Sequence, residues 1–245
     1  MSTSDRGVAS FFKHADEADA AKGPCPARIG PNAVIQTGQA LASRYGSGVA
    51  RLIYEAAGLA RYLGNPPHAM IDEREPKALF TALRQALPAQ EADHVLTDAG
   101  LRTANYVVEN RIPPRARKLL PKLPSALASR LLVSAIARHA WTFVGSGHFE
   151  GRVRGWRKPV VTLSIKANPL ATPGCPWHGA VFQGLFATLT ATHVAVVHPR
   201  CQARGDDCCE WTIKAATAPR PLVRKSREAA IDRPDREGRR SPASR

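Results

Sequence analysis

The sequence predicts an α+β fold, in which an N-terminal helical part packs with a small antiparallel sheet of strand-strand-helix-strand-strand order. Three observations predict it. Apolar residues recur at three-and-four spacing from Pro31 to Phe143. After Gly145-Ser146-Gly147 the period shortens towards two. The 245 residues are 44% hydrophobic and 22% charged, the composition of a chain that buries an ordinary core. The expected organisation is a mobile leader (1–27), a helical part (28–145), a sheet part carrying clustered cysteines (146–215) and a disordered basic tail (216–245). No internal repeat is visible.

The leader ends at the turn-rich Gly23-Pro24-Cys25-Pro26. From Pro31, Val34, Ala40, Leu41 and Tyr45 mark a helix that Gly46-Ser47-Gly48 interrupts. Val49, Leu52, Ile53, Ala56, Ala57 and Ala60 resume the spacing. Pro76 suits a first helical position, ahead of Leu79, Phe80, Leu83 and Leu87. The stretch Glu91 to Arg111 carries Val95, Leu96, Leu101, Ala104, Val107 and Val108 and stops at Ile112-Pro113-Pro114. A last helix of this part runs from about Ser125 to Phe143. His148 to Arg154 and Val160 to Lys166 then read as a strand pair joined near Gly155-Trp156. Pro173-Gly174 introduces a helix from Cys175 to Leu189, with Ala180, Val181, Gly184, Leu185 and Leu189 on one face. The strands Val194 to His198 and Cys209 to Lys214 follow, divided by the polar turn Arg204-Gly205-Asp206-Asp207.

Charge and hydropathy exclude several classes. The formal net charge is +15. Residues 216–245 hold nine Arg/Lys against four Asp/Glu with no aromatic residue, too little apolar surface to offset the entropy of ordering. The remaining 215 residues keep 26 basic against 16 acidic side chains, so the body itself is basic. Ala126 to Val144, the most apolar stretch, is interrupted by Arg130, Arg138 and His139, which argues against a membrane span. The acid-containing N-terminus lacks the apolar run of a secretory signal, so a cytoplasmic protein is expected. A DNA reader would show a helix-turn-helix, a zinc finger or a base-reading basic region. None is present in the sequence, and no nucleic acid partner is expected. Arg115, Arg117, Lys118 and Lys122 read first as a solvated helix face and alternatively as a peripheral contact with an anionic membrane.

Four of the five cysteines lie between Cys175 and Cys209. In a reducing compartment such a cluster suggests metal before disulfides. Zinc takes four thiolate or imidazole ligands in a tetrahedron, most simply from short loops that already bring two together. His198-Pro199-Arg200-Cys201 is such a pair, and Cys175 stands at a helix N-terminus, whose dipole favours a thiolate. Adjacent strand residues face opposite ways, so only one of Cys208 and Cys209 reaches a site shared with Cys201. Cys209 has the parity of Trp211 and Ile213, so it faces the core if they do. The expected ligands are Cys175, His198, Cys201 and Cys209, with His178 as an alternative to His198. Against this stands the ordinary role of free cysteine as a small buried apolar residue.

Cys175, His198-x-x-Cys201, Gly205 and Cys209-Glu210-Trp211 resemble the 4-vinyl reductase domain, which also forms the aromatic-effector sensing domain of some bacterial transcription activators. In those sensors the ligands are Cys, an acidic residue, Cys and Cys at matching intervals. The resemblance implies metal at Cys175, His198, Cys201 and Cys209, with His198 as the departure. Arg28-Ile29-Gly30-Pro31-Asn32-Ala33, the run Asn105-Tyr106-Val107-Val108-Glu109-Asn110-Arg111-Ile112-Pro113, and Cys175-Pro176-Trp177-His178 are similar, more narrowly, to the bacteriochlorophyll 4-vinyl reductase family of purple phototrophic bacteria. The likeness spans about residues 28–215. It implies the 4-vinyl reductase domain type of fold and a place in bacteriochlorophyll formation, where a vinyl group of a divinyl tetrapyrrole such as divinyl chlorophyllide is reduced. The cytoplasmic location is expected from the N-terminal residues, with a peripheral position at the photosynthetic membrane and a homodimer left as open alternatives.

Vinyl reduction needs a hydride donor. The sequence has no credible dinucleotide fingerprint: Gly46-x-Gly48 is followed by Arg51 and Gly145-x-Gly147 by Glu150 where the third glycine belongs. The expected role is therefore to bind a magnesium tetrapyrrole between helices and sheet and present it to a separate vinyl reductase or another pigment-synthesis enzyme. The alternatives are a reductase using an external hydride donor and a zinc-containing small-molecule sensor. His139 and His148 are candidate axial ligands to the tetrapyrrole magnesium, each with an alternative as an ordinary polar histidine.

Overall fold

Two glycines and one tyrosine organise the start of the fold. In the computed structural model, which describes residues 27–190 and 193–216, a two-residue strand β1 (Arg28–Ile29) leads into helix α1 (Asn32–Ala56). Gly46, at φ 83 and ψ 166, breaks α1 in the middle, in the region that only glycine enters freely. The Tyr54 hydroxyl donates to the carbonyl of Val34 across 2.6 Å. Twenty residues of straight helix would span about 30 Å, so α1 reverses at Gly46 and its second half lies back on its first. Gly38 leaves the room that the Tyr54 ring occupies. The predicted interruption at Gly46-Ser47-Gly48 is therefore a helical hairpin.

A short strand β2 (Ile71–Asp72) pairs antiparallel with β1 and precedes α2 (Arg74–Ala86). The helices α3 (Ala89–Asn110), α4 (Pro114–Leu119), α5 (Ser125–Arg138) and α6 (Trp141–Val144) complete the helical part. Strands β3 (His148–Arg154) and β4 (Val160–Lys166), helix α7 (Pro176–Leu189), and strands β5 (Val194–Arg200) and β6 (Cys208–Ala215) follow. The four long strands form one antiparallel sheet in the order β3-β4-β6-β5. The architecture is α+β, and the strand-strand-helix-strand-strand order is the one expected.

Helix α7 lies between the sheet and α3, and it is buried on both sides. Trp177 joins a core formed by Leu41, Ile53, Leu79, Phe80, Val95 and Leu96 of the helical part. Phe182, Leu185, Phe186 and Leu189 join Leu163, Ile165, Trp211 and Ile213 of the sheet. A single apolar face was expected for this helix. Both faces are apolar because one meets helix and the other meets sheet.

Other boundaries also differ from expectation. Helix α2 begins two residues before Pro76, at Arg74, whose backbone N–H donates to the Asp72 carboxylate. The helix expected from Ser125 to Phe143 ends at Arg138, and α6 follows as a separate turn whose Thr142 N–H and hydroxyl both bond the carbonyl of His139. Leu52, assigned to an apolar face, is 65% exposed. The second half of α1 buries Ala50, Ile53 and Tyr54 instead, and Ala56 and Ala57 border an open groove of 360 Å³ beside Arg74 and Lys77. The leader with Cys25 and the basic tail beyond Ala216 lie outside the described residues.

Candidate metal centre

Three segments, the last two joined by a short polar turn, deliver four side chains to one point. The Sγ atoms of Cys175, Cys201 and Cys209 and a ring nitrogen of His198 lie within 4.8 Å of one another. Cys175 stands immediately before α7 in a left-handed conformation, φ 42 and ψ 51, which costs a non-glycine residue about 1–2 kcal/mol. Its N–H bonds the carbonyl of Thr172 at 2.8 Å, and the same carbonyl accepts the Cys201 thiol at 3.3 Å. His198 and Cys201 straddle the end of β5, where the register with β6 shifts between Val197 and Arg200. Cys201 then opens a tight turn: its carbonyl accepts N–H groups from Arg204 and Asp206, and its own N–H donates to the Asp206 carboxylate at 2.6 Å. Cys209 lies on β6 opposite Ile165, two residues before Trp211, which faces Leu163.

The distances suit a metal. The Cys175 sulfur is 3.5 Å from that of Cys209 and 3.8 Å from that of Cys201. Tetrahedral zinc with Zn–S bonds of about 2.3 Å separates its sulfurs by about 3.8 Å. Neither ring nitrogen of His198 has a hydrogen-bond partner, an unusual condition for buried imidazole atoms and one that suits a metal ligand. The residues present therefore fit a divalent metal with soft ligands.

The electrostatics point the same way. A hydrogen bond from the Cys175 thiol, assisted by the Gln202 backbone and the Asn168 side chain, favours the thiolate of Cys209. The same bond, with burial, pushes Cys175 upward, so the pair shares one proton. Burial holds His198 below the usual imidazole range, in the neutral form that ligates metal. Its ring packs on Trp211 at 4.7 Å between centroids.

His178 does not join this cluster. It is fully buried in α7 against the rings of Trp177, Phe182 and Trp211, with neither ring nitrogen hydrogen-bonded, and burial pushes its pKa down to about 3. Cys208, with the opposite parity on β6, stays outside as well. His139 is half-buried at the end of α5, and His148 is exposed at the start of β3, where it meets Glu150 at 3.8 Å. Neither approaches the cysteines. Three supporting residues were not singled out from sequence. Asn168 accepts the N–H of Leu170, Gln202 accepts the N–H of Asn168, and Asp206 closes the Cys201 turn. Only Asp206 had a local signal, its place in the polar turn.

The motif residues at the front of the chain have structural tasks. The Gly30 N–H bonds the carbonyl of Thr142 at 2.7 Å, tying β1 to α6, and Asn32 opens α1. Tyr106, Asn110 and Arg111 cluster at the end of α3, where Asn110 donates to the Tyr106 carbonyl and the Arg111 guanidinium lies over the Tyr106 ring.

These features define a class: an α+β domain whose sheet carries a Cys3His cluster suited to a metal ion. The fold is that of the H-NOX domains. A solved domain described for the function of heme distortion in the H-NOX family matches with TM-score 0.54 at 11% identity over 77% of this chain and 96% of that one. A mutant Fe(II) unliganded H-NOX protein from K. algicida matches with TM-score 0.51 at 10% identity, over 77% and 97%. No protein-family model matches the chain. Among curated proteins, the bacteriochlorophyll synthase 23 kDa chain of Cereibacter sphaeroides is 41% identical over 192 residues, 76% of this chain and 90% of its own length. Its namesake from Rhodobacter capsulatus is 38% identical over 76% of this chain and 86% of its own. The chain belongs to the family of the bacteriochlorophyll synthase 23 kDa chain.

Proposed function

We propose that this protein acts in bacteriochlorophyll formation by binding a divinyl tetrapyrrole such as divinyl chlorophyllide and presenting it for reduction of its vinyl group. The observation that carries this reading is the 41% identity, across three quarters of the chain, to a relative named for bacteriochlorophyll synthesis. The relatives' names give the pigment and not the step; the step rests on the sequence resemblance to the vinyl reductases. A fold shared with a domain described for its heme is in keeping with a planar tetrapyrrole ligand. The hydride comes from another protein, since a vinyl reduction needs a nicotinamide or flavin and the sequence carries no dinucleotide fingerprint.

Zinc at Cys175, His198, Cys201 and Cys209 is structural in this reading. The ion would clamp the start of α7 to the β5 and β6 ends, and three cysteines with one histidine form the closed ligand set of structural zinc. His148, exposed on β3, and His139 are the imidazoles proposed for the tetrapyrrole magnesium.

Spectroscopic titration of the purified protein with divinyl chlorophyllide tests the reading. A shifted chlorin absorption saturating at micromolar concentration is expected, with the vinyl group intact until a reductase and its donor are added. The absence of binding at that concentration overturns it. Turnover by the purified chain with reduced nicotinamide or flavin replaces the carrier role with a catalytic one.

A further inference from the structure

From Arg111 to Gly205 the chain holds 14 Arg and Lys and one carboxylate, Glu150. That carboxylate is engaged by His148, Arg152 and Lys166 on the sheet. The cations of the β3–β4 hairpin tip, Arg154, Arg157 and Lys158, are exposed and meet no carboxylate among the described residues. Trp156, between them, is 62% exposed, and the guanidinium of Arg130 lies 5.2 Å from its ring centroid. Arg130 belongs to the outward face of α5, where Leu127, one turn earlier, is also exposed. The stack joins helix face and hairpin tip into one surface, cationic around a tryptophan and a leucine.

We propose that this surface docks the protein on an anionic lipid bilayer, with Trp156 entering the headgroup boundary and Arg130, Arg154, Arg157 and Lys158 pairing with lipid phosphates. The chemistry of the patch selects this occupant. A tryptophan gains from an interface that is apolar on one side and wet on the other. Leu127 gains from the acyl boundary and gains nothing from a phosphodiester backbone, so the bilayer is favoured over nucleic acid. Each cation near an anionic surface adds to the attraction. No helix among the described residues is long and apolar enough to cross a membrane, so the contact is peripheral. The proposal needs no pigment and stands apart from the tetrapyrrole reading.

The test is co-sedimentation of the full chain with vesicles of phosphatidylglycerol and phosphatidylcholine, against vesicles of phosphatidylcholine alone, with brominated acyl chains to quench tryptophan. Salt-sensitive binding to the anionic vesicles and quenching that falls sharply in Trp156→Phe are expected. Arg157→Gln combined with Lys158→Gln should weaken binding about 30-fold, with circular dichroism unchanged to show that the variant is folded. Unchanged binding by that double variant, quenching indifferent to Trp156→Phe, or binding to duplex DNA with none to vesicles overturns the proposal.

Discussion

A Cβ atom placed on Gly184 of α7 would lie 2.6 Å from the Cβ of Ala104 on α3. One on Gly100 of α3 would likewise come within 2.7 Å of the Ala180 Cβ and overlap the carbonyl of Trp177. The two helices cross through these glycines at backbone contact. This crossing seats α7, and with it Cys175, between the helical part and the sheet.

Gly100→Ala is expected to destabilise the protein by about 1–3 kcal/mol, because the methyl group meets backbone that cannot yield without moving α7. Urea unfolding followed by circular dichroism measures it. An unchanged midpoint would mean that the crossing is loose.

The cluster predicts metal content variant by variant. Wild type should purify with one zinc per chain. Cys201→Ser and Cys209→Ser should lose it and melt at lower temperature, and Cys208→Ser should retain it, since Cys208 faces away. Elemental analysis with thermal melts distinguishes the three, and a chelator should lower the wild-type melting point towards that of Cys201→Ser.

Tyr54→Phe removes the hydrogen bond that closes the α1 hairpin while keeping the ring. A loss of about 1–2 kcal/mol is expected, larger if the Val34 carbonyl finds no water. Native-state hydrogen exchange should show the loss concentrated in residues 47–56.

Arg74 donates to Asp72 through side chain and backbone and holds its carboxyl down at about 2. In the unfolded chain an aspartate titrates near 3.9. A depressed carboxylate contributes stability that is complete above the unfolded value and lost as pH falls through the folded one. Wild type should therefore lose stability between about pH 4 and pH 2, with a shallower slope in Asp72→Asn over that window. Arg74 is exposed and Asp72 only half-buried, so the difference should be small and should shrink in high salt. Melting temperature against pH in both proteins checks it.

Much of the architecture was legible in the sequence because the periods are clean. Val160 to Lys166 alternates and is a strand, Glu91 to Arg111 has helical spacing and is a helix, and Gly46 interrupts one. Legibility failed where a partner far along the chain decides the outcome. The two-residue strands β1 and β2 exist only because Ile29 and Ile71 meet, and no local pattern announces so short a ladder. Helix α7 has little polar surface because it is covered twice, which periodicity alone cannot distinguish from one broad face.

The sequence by itself determined the kinds of ligand and their spacing: soft thiolates and an imidazole on short loops, with Cys209 on the parity of Trp211. It also determined the charge, since fourteen cations against one carboxylate over 95 residues is a property of the chain before it folds. Only the tertiary structure decided that His198 and not His178 stands with the cysteines, because the shifted register at the end of β5 carries one imidazole to the sulfurs while α7 packs the other among aromatic rings. It also decided that Trp156 and Arg130, 26 residues apart, share a surface. Both outcomes depend on which elements lie side by side, and that is set by burial summed over the whole core, a quantity that no local stretch of sequence contains.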